Sequence, residues 1–500
     1  METKSLLWHI RSTDAARIAL DDGERQVTYS QLRTLVESEL RWLLRGGERI
    51  GLLAENGCSW AIADLALHEG RLINVPLPAY FTAQQLQHAV SDAGVDSILT
   101  DRPLYVSDLW PHLESAGVSK MTGLTLLTGA SRSRTRRAIL PAGTIKVTYT
   151  SGSTADPKGV CLSANALESV ARSLATVSAP LQIKRHLCLL PLPTLLENVA
   201  GIYAPLLSGA TCFIPPSNVT GMHYSALDAS RLLGSISSVR PESLILVPEL
   251  LRLLVHAASQ GWQVPRSLKF IAVGGAAVSQ SLLEQALALG LPVFQGYGLS
   301  ECSSVVCLNT PTENRLGSVG KALPHARIRA DSEGQLWVSG ATMGGYLGQD
   351  PLAFGAELAT GDLGEIDTDG FVYIKGRLRN VFITSVGRNL SPEWIERELT
   401  QEPSIRHAIA FGEARPYPVA LISKARADVD DDAIDKAVAR ANTRLPDYAR
   451  VARWALLPES PTLINGMLTP NGRPRRERIL DRYTSLIDEL YEAPPSTESA

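Results

Sequence analysis

Short apolar segments alternate with amphipathic ones along the first part of the chain. The run ERIGLLAENG (48–57) is apolar and ends in a turn, so it predicts a strand, and the small apolar residues 60–69 predict the helix that follows. Residues 73–80 and 95–101 predict two further strands. Strands that alternate with helices favour parallel sheets with helices on both faces.

The same alternation continues beyond residue 145. Residues 145–150 alternate in character and predict a short strand, and Ser163 predicts the N-cap of a helix that runs to about Thr176. Further strand and helix signals lie in residues 187–193, 243–254, 270–278 and 291–301.

The pattern changes after residue 330, where short strands with turn residues predict a small β-rich lobe. Asp369-Gly370 lies between two alternating runs and predicts a hairpin. Past Arg379 the chain predicts a compact αβ unit, in which Ser391, followed by Pro392, is expected to cap a helix over 391–400. The fold class is therefore α/β, with a large N-terminal domain of parallel-sheet layers over 1–378, its β-rich lobe at about 325–378, and a small α+β C-terminal domain over 379–500.

Composition limits the partners and the compartment. The chain has 500 residues, of which 45% are hydrophobic and 20% charged, and its net charge of −3 predicts no nucleic-acid partner. No apolar run has the length of a membrane span, and no secretory leader is recognisable. The six cysteines lack CxxC spacing and the nine histidines lack metal-ligand spacing, so the cysteines are expected to be reduced core residues of a cytoplasmic protein.

The stretch VTYTSGSTADPKG (147–159) carries the strongest chemical signal. Its two glycines allow backbone N–H groups to turn toward a polyanion, its Ser and Thr hydroxyls add donors, and Lys158 adds a cation. The spacing differs from the common nucleotide P-loop, because Lys158 is followed by Gly159 and Val160. A Ser- and Gly-rich surface turn is the alternative for this stretch taken alone.

Five further motifs follow in order, and together they carry a family resemblance. They are QGYGLSE (295–301), TGD (360–362), GRLRN (376–380), VGRNLSPEWIE (386–396) and LTPNGRPRR (468–476). With TSGSTADPKGV, they resemble the motifs of the adenylate-forming superfamily, which includes acyl-CoA synthetases, stand-alone adenylation domains and luciferases. The likeness covers roughly residues 25–480, with Ala155 in place of a glycine and Ser300 in place of a threonine.

The resemblance implies ATP and Mg²⁺ as ligands and assigns roles to individual residues. Ser300 would contact the α-phosphate, Glu301 would bind Mg²⁺, Tyr297 would stack on adenine and Asp362 would bind the ribose hydroxyls. The implied catalytic residues are Lys158, Ser300, Glu301 and Arg473. The implied nucleotide-binding residues are Thr150, Ser151, Gly152, Ser153, Thr154, Gly274, Gly275, Ala276, Tyr297, Asp362 and Arg377.

Each of these residues has a plainer interpretation when taken alone. Asp362 after Gly361 is typical of a turn, and Glu301 of a solvated charge. Arg377 alone would be an exposed ion-pair partner, and Tyr297 a core residue. Their joint occurrence in family order favours the nucleotide site.

The resemblance also implies a second half-reaction, in which a mobile C-terminal domain rotates and a thiol accepts the acyl group. Arg379 stands at the family's hinge position, and Gly387 lies in the loop that faces the thiol, where a simple β-turn is the alternative. The thiol belongs to CoA or to the phosphopantetheine of an acyl or peptidyl carrier protein.

Arg473 departs from the family pattern, because it stands where a lysine contacts the substrate carboxylate and the α-phosphate. A forked guanidinium is not equivalent to an ammonium. Arg473 could act in a reshaped site, act slowly, or mark a relative that has lost adenylation.

The substrate is expected to be a carboxylic acid, most simply a fatty acid. LPLPTLLEN (190–198) aligns with a family motif that shapes the acyl pocket, retains Glu197, and has no aspartate over 190–196 to meet an α-ammonium. The predicted activity is ATP-dependent formation of an acyl-adenylate, followed by transfer to a thiol. The alternatives are a ligase that loads only a carrier protein and a non-catalytic nucleotide-binding relative.

Overall fold

The computed structural model describes residues 6–10, 14–129, 138–150, 157–223, 226–378, 382–383, 385, 389–469 and 472–492. Its strands are β1 (Ile18–Asp21), β2 (Gln26–Thr28), β3 (Arg49–Leu53), β4 (Ile73–Pro76), β5 (Ser97–Thr100), β6 (Leu113–Val118), β7 (Thr125–Gly129), β8 (Thr144–Thr150), β9 (Lys158–Ser163), β10 (Arg185–Leu187), β11 (Thr211–Phe213), β12 (Met222–His223), β13 (Ala226–Leu227), β14 (Ser243–Leu246), β15 (Phe270–Val273), β16 (Val293–Leu299), β17 (Ser304–Leu308), β18 (Lys321–Ala322), β19 (Arg327–Ala330), β20 (Gln335–Ser339), β21 (Leu358–Ile366), β22 (Val372–Arg377), β23 (Phe382–Ile383), β24 (Asn389–Leu390), β25 (Ile405–Phe411), β26 (Val419–Lys424) and β27 (Arg453–Leu456).

Its α-helices are α1 (Leu6–Ile10), α2 (Tyr29–Leu43), α3 (Cys58–Glu69), α4 (Ala83–Ala93), α5 (Pro103–Leu109), α6 (Ala164–Ser178), α7 (Leu195–Glu197), α8 (Ala204–Leu207), α9 (Ser217–Thr220), α10 (Ala229–Val239), α11 (Pro248–Ser259), α12 (Gln280–Ala288), α13 (Pro392–Leu399), α14 (Asp431–Thr443) and α15 (Arg476–Glu492). A π-helical stretch, Asn198–Tyr203, joins α7 to α8, and short 3₁₀ turns cover Ala179–Leu181, Ser300–Cys302 and Asp447–Ala449.

Two large sheets form the N-terminal part of the fold, and both are parallel only at their centres. The nine-stranded sheet has the order β18-β17-β16-β15-β14-β10-β11-β1-β2. Its strands from β16 to β1 are parallel, whereas β17, β18 and β2 run antiparallel at the two ends. The α/β class is confirmed, and the prediction of parallel sheets holds for the interior strands.

The seven-stranded sheet, of order β6-β7-β5-β3-β4-β8-β9, carries the predicted phosphate loop at one edge. Strands β3, β4, β5 and β8 are parallel, and β8 and β9 form an antiparallel pair in which Thr150 lies opposite Lys158. The strand predicted over 145–150 is confirmed as β8. The loop therefore joins two paired strands rather than leading from a strand directly into a helix.

A buried polar network ties β8 to the helices beside it. The ammonium of Lys146 donates to Asp64 Oδ1 (2.7 Å) and to the phenol oxygen of Tyr203 (3.2 Å), and Tyr203 in turn donates to Asp64 Oδ2 (2.6 Å). Asn198 Nδ2 also donates to Asp64 (2.9 Å). Burial lowers the pKa of Lys146 from its ordinary value, and the Asp64 carboxylate opposes that shift. These contacts fix the strand that leads into the phosphate loop.

Ser163 and Ser391 both precede a helix as predicted, but only Ser163 forms the capping hydrogen bond. Ser163 caps α6, because its hydroxyl accepts from the backbone N–H of Ala166 at 3.2 Å. Ser391 also precedes a helix, but its side chain makes no capping bond and its hydroxyl donates to Glu393 Oε2 at 3.0 Å. The helix predicted over 391–400 is confirmed as α13, with Ser391 at its N-cap position, but the capping bond is absent because the hydroxyl is turned toward Glu393.

Smaller sheets follow the two large ones. Strands β19 to β22 form an antiparallel sheet over Arg327–Arg377, and the turn between β21 and β22 holds Asp369-Gly370 as predicted. Strands β25, β26 and β27 form a three-stranded sheet that packs with α13, α14 and α15. All six cysteines lie in the described part of the chain, and each is buried and unpaired. A search of the described helices found none with the length and apolar character needed to cross a bilayer.

Candidate active site

Asp362 is the centre of the candidate site. It lies on β21 directly opposite Arg377 on β22, so the antiparallel register brings the two side chains together. Arg377 Nε donates to Asp362 Oδ1 at 2.8 Å, and the phenol of Tyr297 donates to Asp362 Oδ2 at 2.7 Å. Asp362 is only 3% exposed. Residues from three separate motifs thus meet at one buried carboxylate.

The electrostatics of this cluster follow from burial and neighbouring charge. Burial, and then the adjacent Asp362 carboxylate, raise the pKa of the Tyr297 phenol well above its ordinary value, so the phenol is a neutral donor. For Arg377, removal from solvent acts to lower the pKa, but the carboxylates of Asp362 and Glu301 outweigh it and the pKa is raised. Arg377 is therefore stabilised as a cation by two carboxylates of the site.

A glycine turn after β15 forms the next wall of the site. A Cβ atom on Gly274 would lie 3.1 Å from the carbonyl oxygen of Gly296, so the ends of β15 and β16 approach closely there. Gly275 has a φ of +81°, a conformation that favours glycine. Ala276, which follows, is half-buried. The three small residues predicted to accommodate a flat base therefore lie at the carboxyl end of β15, one of the parallel strands, and open α/β sheets bind ligands at such ends.

Arg473 reaches this turn from the C-terminal region. Its guanidinium donates to the carbonyl oxygen of Gly275. Its own backbone is held in a turn, in which Arg473 N–H donates to Thr469 Oγ1 (3.1 Å) and Thr469 N–H donates to the Arg473 carbonyl (2.8 Å). Packing around the guanidinium, followed by repulsion from Arg377, lowers the pKa of Arg473, although the residue as a whole is exposed. An arginine remains a cation at neutral pH despite such a shift.

Glu301 and Lys158 meet at a residue that the sequence did not single out. The phenol of Tyr346 donates to Glu301 Oε1 at 2.7 Å, and the ammonium of Lys158 lies 5.5 Å from the centre of the Tyr346 ring. Ser300 and Glu301 occupy the short 3₁₀ turn between β16 and β17. No signal near residue 346 pointed to this contact, because its partners lie far away in sequence.

Several predicted site residues lie outside the described residues. These are Ser151, Gly152, Ser153 and Thr154 of the phosphate loop, Arg379 and Gly387. The backbone of Thr150 is described at the end of β8, and Lys158 is exposed at the start of β9, so the two ends of the loop are paired. The roles given to these residues stay predictions.

The acyl-side motif forms a buried polar cluster. Glu197 accepts from the backbone N–H of Leu190 at 3.2 Å and contacts His186 Nε2 at 3.2 Å, and His186 Nδ1 contacts Ser243 Oγ at 2.8 Å. His186, Cys188 and Glu197 are close enough together to be considered as metal ligands. The imidazole and carboxylate are already hydrogen-bonded to one another, so the cluster is explained as a satisfied core network.

The donor set fits ATP with Mg²⁺. Glu301 supplies a carboxylate, the hard oxygen ligand that Mg²⁺ prefers, and Tyr346 donates to its Oε1. Asp362 supplies acceptor oxygens, and Arg377 and Arg473 supply cations.

Comparison with known proteins identifies the family and the fold. The AMP-binding enzyme family model matches residues 8–347, and the AMP-binding enzyme C-terminal domain model matches residues 379–494. The O-succinylbenzoate coenzyme A synthetase of Bacillus subtilis in complex with ATP and magnesium ion has a similar fold, with a TM-score of 0.76 and 22% identity over 96% of this chain and 99% of that one. The anthranilate CoA ligase AuaEII superposes with a TM-score of 0.77 and 18% identity over 96% and 97% of the two chains.

Curated relatives show the same class. The long-chain-fatty-acid–CoA ligase FadD15 of Mycobacterium bovis is 25% identical, over 92% of this chain and 91% of the relative. The 2-succinylbenzoate–CoA ligase of Bacillus cereus is 27% identical, over 79% and 82%. The fold is that of an adenylate-forming enzyme. The chain belongs to the AMP-binding enzyme family and is an acid–thiol ligase of the AMP-forming type. The resemblance inferred from the motifs is thus confirmed.

Proposed function

We propose that this enzyme activates an apolar carboxylic acid with ATP to an acyl-adenylate and then transfers the acyl group to the thiol of CoA. In the first step a carboxylate oxygen bonds to the α-phosphorus as the bond to pyrophosphate breaks. In the second, the thiol sulfur bonds to the acyl carbon and AMP leaves. The observation that carries the proposal is the meeting of Tyr297, Asp362, Arg377 and Arg473 beside the Gly275 turn.

Each residue of this cluster would contact a different part of the nucleotide. The adenine would lie between the ring of Tyr297 and the small residues after β15. The Asp362 carboxylate would accept hydrogen bonds from the ribose hydroxyls. Arg377, on the opposite strand, would contact the ribose or a phosphate. For the ribose to bind, the hydrogen bonds that Tyr297 and Arg377 now donate to Asp362 must be replaced by bonds from the ribose hydroxyls or coexist with them.

The phosphates would be bound by a second group of residues. Lys158 and the loop residues 150–154 would hold the β- and γ-phosphates, and Ser300 would donate to the α-phosphate. Glu301 would hold Mg²⁺, which when bound neutralises charge on the phosphate oxygens. Catalysis by these groups is positioning together with charge stabilisation.

Arg473 would take the place of the usual lysine in the first step. Its guanidinium already lies at Gly275, within the cluster that would hold the nucleotide. A planar fork can contact a carboxylate oxygen and a phosphate oxygen at once. This placement favours a working arginine over a chain that has lost adenylation.

The second step would require the C-terminal domain to move. While Arg473 contacts Gly275, the region around it closes the nucleotide site, and a thiol must approach from another direction. We infer that residues 379–500 rotate about Arg379, withdraw Arg473 and bring Gly387 to the thiol.

The acid is proposed to be fatty or aryl. The motif over 190–198 has no acidic side chain before Glu197, and Glu197 is fully buried and engaged with His186 and Leu190. It therefore offers no free carboxylate to an amino acid's ammonium. The relatives named above act on both fatty and aryl acids, so chain length is left to experiment. A cytoplasmic location is proposed, since the six cysteines are unpaired.

The test is a trapping assay over graded fatty and aryl acids. Purified enzyme is incubated with ATP, Mg²⁺, one acid and hydroxylamine, and the hydroxamate is measured; the same acids are then tested with CoA or a phosphopantetheinylated carrier protein by mass spectrometry. Hydroxamate together with acyl-CoA is expected. Transfer to the carrier alone would make the enzyme a carrier-loading ligase, and no hydroxamate with any acid would contradict the proposal.

A further inference from the structure

A five-residue segment over 343–347 is hydrogen-bonded both to the turn that carries Glu301 and to the strand that begins with Lys158. Its N–H groups at Met343, Gly344 and Leu347 donate to the carbonyls of Glu301 (2.8 Å), Cys161 (3.0 Å) and Gly159 (2.8 Å), and the Cys161 N–H donates to the Gly345 carbonyl (3.0 Å). We call residues 343–347 the bridging segment. It connects the turn that carries Glu301 to β9, the strand that begins with Lys158.

Packing leaves little freedom in the backbone of the bridging segment. A Cβ atom on Gly344 would lie 2.6 Å from the Phe354 ring and 2.9 Å from Pro141. Gly345 has a φ of +123°, which L side chains rarely adopt. The segment therefore delivers the next side chain, Tyr346, from a fixed backbone position.

The side chain of Tyr346 contacts two residues proposed to act in catalysis. Its phenol donates to Glu301 Oε1 at 2.7 Å, and its ring lies beneath the Lys158 ammonium at 5.5 Å. Glu301 and Lys158 come from different motifs, and Tyr346 lies between them. Such a contact fixes the direction of a carboxylate without changing its charge.

We propose that Tyr346 is a positioning residue, which holds the Glu301 carboxylate in the orientation that binds Mg²⁺ and keeps Lys158 beside it. The inference rests on the proposed role of Glu301. Because the phenol engages Oε1, the other carboxylate oxygen would be the one left to bind Mg²⁺. Carboxylates that bind metals depend on such outer partners, and removal of one commonly lowers metal affinity or activity by about 10- to 100-fold.

The Tyr346→Phe variant removes only the hydroxyl. The ring remains under Lys158, and the backbone bonds of the bridging segment do not involve the side chain, so the variant is expected to fold. Its Mn²⁺ affinity is measured by water-proton relaxation in the complex with a non-hydrolysable ATP analogue. We expect it to fall by about 10- to 100-fold, while binding of the analogue in EDTA stays near the wild-type value.

Tyr373→Phe is the matched control. The Tyr373 phenol donates to Asp367 Oδ2 at 3.2 Å in the sheet formed by β19 to β22, so the same kind of bond is removed outside the site. Its Mn²⁺ affinity should equal that of the wild type. Replacement of Tyr346 by para-aminophenylalanine restores a donor at the ring's para position and should recover most of the lost affinity.

The outcomes separate the two proposals. If wild type forms no hydroxamate but Tyr346→Phe still loses Mn²⁺ affinity, the proposed reaction fails and the role of Tyr346 stands. If the Mn²⁺ affinity of Tyr346→Phe matches that of the wild type and of Tyr373→Phe, the positioning role is overturned. Failure of para-aminophenylalanine to recover the affinity would overturn it as well, because the ring would then matter without its donor.

Discussion

Replacement of Asp362 by asparagine perturbs the most buried charge of the nucleotide site. In the free protein Asp362 is 3% exposed and accepts from Tyr297 and Arg377. Asparagine has nearly the same shape and keeps one acceptor oxygen for Arg377, and its amide can donate to the phenol oxygen of Tyr297. The side chain of Arg377 is 48% exposed, so water solvates it when the negative charge is lost. The free energy of unfolding should therefore fall by only about 1 kcal/mol.

The effect on the nucleotide should be larger. A hydrogen bond from a ribose hydroxyl to a charged carboxylate contributes about 1.5–3 kcal/mol, and asparagine cannot provide two such acceptors. Loss of one of these bonds corresponds to ATP affinity that is weaker by about 10- to 100-fold. The change in binding should therefore exceed the change in stability.

The assay measures both quantities on one preparation. Calorimetric titration gives the dissociation constant for ATP with Mg²⁺, and urea unfolding gives the free energy of unfolding. Asp369→Asn is the control, because Asp369 lies in the exposed turn between β21 and β22 and pairs with Arg315 at 2.8 Å. The reasoning is refuted if Asp362→Asn is folded and binds ATP within about twofold of the wild type.

Three further predictions concern the adenylation step, stability at acidic pH and the buried core. Arg473→Lys should keep or raise the rate of ATP–pyrophosphate exchange, and Arg473→Met should lower it by about 100- to 1,000-fold; an inactive Arg473→Lys would show that the assigned role is wrong. Burial lowers the pKa of His407 to about 4 from 6.5. Because the native state resists protonation of this imidazole, the free energy of unfolding should decrease as the pH falls from about 6.5 toward 4. The melting temperatures at pH 7 and 5 should differ less in His407→Gln than in the wild type, and an equal difference would contradict this. Lys146→Met leaves the fully buried Asp64 without its cation, so urea unfolding should show a loss of about 3–5 kcal/mol, and a loss below about 1 kcal/mol would refute the account of that network.

Local signals explain which parts of the fold were predictable. The strand before the phosphate loop and the helix capped by Ser163 depend on neighbours within a few residues, and both are present as β8 and α6. The antiparallel strands at the sheet ends were not predicted, because an edge pairing such as β16 with β17 depends on how the chain turns back in space. Ser391 stands at the predicted N-cap position, but local rules did not predict that its hydroxyl would donate to Glu393 and make no capping bond.

The site was predictable where its chemistry lies in motifs. Asp362 and Arg377 were each identified from their own motif, and the hairpin register explains why they touch. Tyr297 was assigned to adenine, and its bond to Asp362 was not foreseen. Tyr346 was missed altogether, because its contacts with Glu301 and Lys158 span large sequence separations that no periodicity reports.

The central claim is that one nucleotide site lies between the glycine turn after β15, Asp362 and Arg473. A crystal structure with a non-hydrolysable acyl-adenylate analogue tests it most directly. The account predicts the ribose on Asp362, the base between Tyr297 and the turn at Gly274 to Ala276, and the Arg473 guanidinium on the group that replaces the α-phosphate. An analogue bound elsewhere, with the Asp362 carboxylate still shared only by Tyr297 and Arg377, would contradict it.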